Sequence, residues 1–84
     1  MIYYLFICRS LTYAQRAVKE LEKHGITGTV TRLPQSIAIE GCNYCVKLAE
    51  RHFCRALEIL KSAEIYPKKM FALYEDGTAV EVGV

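Results

Sequence analysis

The sequence predicts a small α+β domain, and three observations lead there. Short apolar runs rich in β-branched and aromatic residues recur along the chain. Two other segments repeat their apolar residues at helical spacing. Glycine, proline or Asp-Gly punctuation separates most of these segments. With 84 residues the chain makes a single domain, 1–84. Hydrophobic residues make up 52% of it, which excludes a disordered chain, and a formal net charge of +2 is too weak to imply a nucleic-acid or membrane partner by itself. A domain of this size buries a modest share of its surface, so dimerisation would help it.

Ile2–Cys8 reads as a strand, a continuous apolar run with two tyrosines and two isoleucines. Both of its alternating faces are apolar, which predicts a central strand covered on both sides. Ser10-Leu11-Thr12 opens a helix, with Thr12 and Gln15 fitting a capping box. Leu11, Ala14, Ala17, Val18 and Leu21 make its buried stripe, and His24-Gly25 closes it with a left-handed stop. His24 is read as a helix-end residue rather than a ligand. Gly28–Leu33 is a second strand, ended by Pro34. Gln35–Gly41 is a connecting loop with an apolar middle, Ile37-Ala38-Ile39. Tyr44–Ala49 alternates as a third strand. A second helix runs from about Arg51 to Ala63 and buries Phe53, Ala56, Leu57 and Leu60. Met70–Tyr74 and Thr78–Val82 flank Glu75-Asp76-Gly77, a tight-hairpin signal. The order is that of a ferredoxin-like β-α-β-β-α-β sandwich, with two helices on one face of an antiparallel sheet and a C-terminal β-hairpin extension.

The chemistry-bearing feature is Gly41-Cys42-Asn43-Tyr44-Cys45. A Cys-x-x-Cys pair on a turn can close a disulfide ring, supply half of a metal site, or present one thiolate with a neighbour to resolve it. No basic, export-type start precedes the apolar run, so a cytoplasmic location and reduced thiols are expected, which weakens a disulfide framework. A zinc site needs four ligands. Cys8 could add a third, but His52 and Cys54 lie about 20 Å along the third strand at ~3.3 Å per residue, so a four-ligand protein site is not expected, which leaves a labile site or one shared at a dimer interface as the metal reading. In the predicted topology the first and third strands are antiparallel neighbours, which puts Cys8-Arg9-Ser10 beside Cys42–Cys45. The first helix starts at the same edge, and its unpaired N–H groups, with Arg9, would favour a thiolate there. Cys42 is the better nucleophile candidate. It precedes the strand, between Gly41 and Asn43, which both tolerate unusual backbone angles. Cys45 is either a resolving thiol or a small sheet residue. Cys54, and in part Cys8, read as compact apolar filler.

These residues, Cys8-Arg9-Ser10 feeding a helix with Ala14 and then Gly41-Cys42-Asn43-Tyr44-Cys45-Val46-Lys47, resemble the selenium/sulfur carrier protein-like family, small domains also found fused to sulfur-carrier domains. The resemblance covers most of residues 2–66. The family's Cys-Gly step reads Cys42-Asn43 here, and the terminal hairpin lies outside it. The resemblance implies a carrier rather than a stand-alone enzyme. Cys42, with Cys45 as optional partner, would relay a persulfide or selenopersulfide between a desulfurase-type donor protein and an acceptor protein, with no cofactor.

Two other classes compete. An RNA-recognition domain shares the element order, and Tyr3, Tyr4 and Phe6 would suit base stacking. However, the third strand offers Asn43, Cys45 and Leu48 where aromatics are needed. A dimerising or regulatory module without thiol chemistry is the other. Tyr3, Leu5 and Ile7 cannot all lie under the helices, so the terminal hairpin or a second copy of the chain is expected to cover them.

Overall fold

In the computed structural model, which describes residues 2–34, 37 and 43–83, the central strand β1 (Tyr3–Cys8) is flanked on both sides by antiparallel partners. The chain continues through α1 (Leu11–Glu22), β2 (Thr29–Arg32), β3 (Tyr44–Ala49), a single 3₁₀ turn (Glu50–His52), α2 (Phe53–Ser62), β4 (Lys69–Leu73) and β5 (Ala79–Val82). The five strands form one sheet in the order β2-β3-β1-β4-β5, every neighbouring pair antiparallel. The protein is thus a small α+β domain with two helices and a five-stranded antiparallel sheet.

Register assigns the faces. Phe6, Cys8, Val46, Leu48 and Met70 project to one side and pack with Ala14, Ala17 and Leu21 of α1 and with Ala56 and Leu60 of α2. Tyr4 stacks on Phe53 at 4.1 Å between ring centroids, and Phe6 meets the same ring edge-on at 5.8 Å. Gly28 permits the close approach of the chain between α1 and β2, because a Cβ there would stand 3.0 Å from Val46 Cγ1 and 3.2 Å from Leu48 Cδ2.

Leu5, Ile7 and Cys45 project to the other side, where Ile37 of the β2–β3 connection packs on them and Phe71, Leu73 and Ala79 lie alongside. Expectation placed the terminal hairpin or a second copy on this face. Of the hairpin, Phe71, Leu73 and Ala79 lie on this face as β4 and β5 extend the sheet sideways, and Ile37 covers part of it as well. The apolar middle of this connection, Ile37-Ala38-Ile39, was the available signal, since apolar side chains need somewhere to be buried.

The helix ends differ from the expected ones in detail. Ser10, not Thr12, caps α1: its Oγ accepts the N–H of Tyr13 at 3.1 Å, and its backbone is extended as a cap requires. That shift exposes Leu11, which is 40% accessible rather than part of the buried stripe. Both helices end in the same reverse pattern. Ile26 N–H reaches Leu21 C=O and Gly25 N–H reaches Glu22 C=O, with Gly25 at φ 77°. Ile65 N–H likewise reaches Leu60 C=O and Glu64 N–H reaches Lys61 C=O, with Glu64 at φ 59°. In each case the first residue of β-directed chain, Ile26 or Ile65, folds back onto the buried leucine of the last turn.

Candidate functional site

Site geometry begins with the β1–β3 register. Cys8 stands opposite Tyr44 and Ile7 opposite Cys45, so the end of β1 lies beside the start of β3. Asn43 follows on past that pair, exposed, and its carbonyl accepts the N–H of Leu33 at 3.0 Å, closing the β2–β3 ladder. Arg9, Ser10 and Asn43 therefore share one edge of the sheet with the start of α1. Gly41 and Cys42 lie outside the described residues.

The two strand cysteines sit on opposite faces of the sheet. Cys8 faces the helices, is 2% exposed, and points its thiol at Phe6 C=O at 3.4 Å. Cys45 faces the other way, is fully buried under Ile37, and lies 4.0 Å from Arg32 C=O. Burial pushes the Cys45 thiol up from 9.0 to about 11; the positive charge of Lys47 pulls the other way and is outweighed. Cys45 therefore rests as a protonated, enclosed thiol. Cys54, expected as filler beside the α2 stripe, is exposed on that helix. No cluster of three or more metal-ligating side chains occurs among the described residues.

Arg9 spreads over the Tyr13 ring, 4.8 Å from its centroid. The Tyr13 hydroxyl accepts the N–H of Tyr66 at 2.7 Å and donates to its carbonyl at 3.3 Å. Lys68 N–H then reaches Ile7 C=O at 2.8 Å, which draws the α2–β4 connection along the end of β1. Tyr13 and Tyr66 thus join Arg9 and Ser10 at this corner. The sequence carried no sign of it, because the two tyrosines are 53 residues apart and neither stands in a motif.

The aromatic set considered for base stacking is divided by the pleat. Tyr4 and Phe6 are committed to the helix-side core, and only Tyr3 of the three lies on the other face, its ring held under Lys47 Nζ at 4.3 Å. No helix among the described residues is long and apolar enough to cross a membrane.

Neither a curated protein nor a solved structure matches this chain. One family profile does, described as Putative Se/S carrier protein-like, and it runs from residue 3 to residue 72, from the first residue of β1 into β4. A match over that span takes in both helices, strands β1 to β3, most of β4 and the Cys42–Cys45 segment, and the chain accordingly belongs to the Se/S carrier protein-like family.

Proposed function

We propose that this protein carries sulfur or selenium as a persulfide or selenopersulfide on Cys42, in a ferredoxin-like frame that serves as presentation and docking surface. The observation that carries the reading is the family match over residues 3–72, a span that contains Cys42. The site supports it in a specific way. Cys8 and Cys45 are enclosed on opposite faces and Cys45 is held protonated, which leaves Cys42, one peptide bond before the exposed Asn43, as the thiol of this edge suited to exchange. Arg9 and the N-terminus of α1 share the edge of Asn43, and positive potential there supports an ionised thiol as the reactive form.

The transfer is a thiolate displacement. Cys42 as thiolate attacks the terminal sulfur of a donor persulfide. The donor's S–S bond breaks, a new S–S bond forms on Cys42, and the donor leaves as a thiolate, with no net oxidation. An acceptor thiolate repeats the step in the other direction. The partners are therefore a desulfurase-type donor protein and a thiol-bearing acceptor. Cys45 remains a second thiol that could resolve Cys42 only after Ile37 is displaced from it. The test is transfer from a cysteine desulfurase to the full chain: the wild type gains one sulfur and Cys42→Ser gains none. Equal loading of both proteins would refute the reading.

A further inference from the structure

Among the described residues, Ile37 covers the second face of the sheet near the start of β3. Towards the other end of β3, register aligns Tyr3, Lys47 and Thr29 on the same side as Leu5, since Lys47 stands opposite both Leu5 and Thr29. Two clefts open there. The first, about 550 Å³, is lined by Tyr3, Thr27, Thr29, Lys47, Arg51 and His52, with Gly25 and Ala49 between them. Among the described residues no carboxylate lines it, and neither Lys47, Arg51 nor His52 has an ion-pair partner. The second, about 400 Å³, shares Tyr3 and Lys47 and continues along Leu73 and Tyr74 to Glu75 and Gly77. The shared wall is the Tyr3–Lys47 pair, in which the ammonium lies 4.3 Å over the ring.

The two clefts differ in chemistry. The first gathers two permanent cations, an imidazole and three hydroxyls around one concavity. That is a set of donors for a compact oxyanion with several acceptor oxygens and no donors of its own. The second offers apolar and aromatic surface from Tyr3, Leu73 and Tyr74. Each volume lies in the range of small-molecule sites, roughly 300–1,000 Å³. We propose that the two clefts together bind a small phosphate monoester, its phosphate in the first against Lys47, Arg51 and His52 and its esterified group in the second against Leu73 and Tyr74. The site lies at the far end of β3 from Cys42, so it stands apart from the carrier reading.

The test is a titration of the full chain with inorganic phosphate and, separately, with adenosine monophosphate at fixed ionic strength, followed by backbone amide NMR shifts. Both ligands should give saturable shifts at residues 25–29 and 47–52, and only the ester should extend them to residues 73–77. Lys47→Gln and Arg51→Gln should each weaken ester binding about tenfold, the effect of losing one charged hydrogen bond. Arg51 is exposed, so its variant decides the matter even if Lys47→Gln fails to fold. Shifts that never saturate, affinities untouched by Arg51→Gln, inorganic phosphate bound as tightly as the ester, or binding of an acidic peptide in place of phosphate would each overturn the proposal. Cys42→Ser should bind the ester like wild type, which keeps this outcome separate from that of the sulfur-loading experiment.

Discussion

At Cys45 burial works against ionisation. Its thiol titrates near 11 in the folded chain against 9.0 for the unperturbed group, because the charged form would lie under Ile37 between strands. A thiol whose pKa is raised on folding holds its proton more tightly in the native state. The associated stability is complete below about pH 9 and is lost as pH rises towards about 11. Urea unfolding at about pH 8 and about pH 11 should show this loss, and Cys45→Ala should show less of it by roughly 2 kcal/mol. Equal pH dependence in the two proteins would mean that Cys45 is not protected as described. Alkylation of the native protein reads the same difference directly. Cys54 should label at once, Cys8 and Cys45 only on unfolding. The sequence identified Cys45 as one of a pair but could not say which way it points. Facing depends on register, and a shift of one residue would exchange the two sides.

Among the elements, the strands were more legible than the caps. An unbroken apolar run marked β1 as central, and β3 falls on Tyr44–Ala49 as its alternation predicts. The start of α1 was displaced by two residues because Ser10 and Thr12 are both good caps. The choice is settled by where β1 ends, since an extended residue right after Arg9 lets Ser10 reach Tyr13 N–H. Ser10→Ala should therefore lower stability by about 1 kcal/mol, and Thr12→Ala should change it little, both read from urea midpoints. The end of α2 offers the opposite test. Glu64 occupies the left-handed position that Gly25 occupies after α1, without glycine's freedom. Glu64→Gly should be neutral to stabilising, by up to about 1 kcal/mol, as strain relief competes with a more flexible unfolded chain. A clear loss of stability would show that the Glu64 side chain contributes something beyond its backbone angle. Ile37 was the element-scale surprise. Periodicity assigns side chains only within regular structure, so the apolar middle of a connection, Ile37-Ala38-Ile39, does not by itself say which face it covers.

For the molecule as a whole, the fold divides chemistry by sheet face and by sheet end. The helix-side face is a closed core. The other face is sealed by Ile37 near the start of β3 and opens into the Tyr3–Lys47 clefts at its far end. The α+β class and the pairing of β1 with β3 followed from the order of elements alone, because antiparallel neighbours bring the end of one strand to the beginning of the other. The Arg9–Tyr13–Tyr66 corner did not, since a contact across 53 residues leaves no local pattern. The proposed carrier role rests on one sulfur, that of Cys42. Peptide mass spectrometry on the chain after exposure to a desulfurase and cysteine measures that most directly. The added sulfur should map to the peptide holding Cys42, with Cys8 and Cys45 unmodified. Its appearance on Cys54 alone, or its absence from all four cysteines, would contradict a Cys42 carrier.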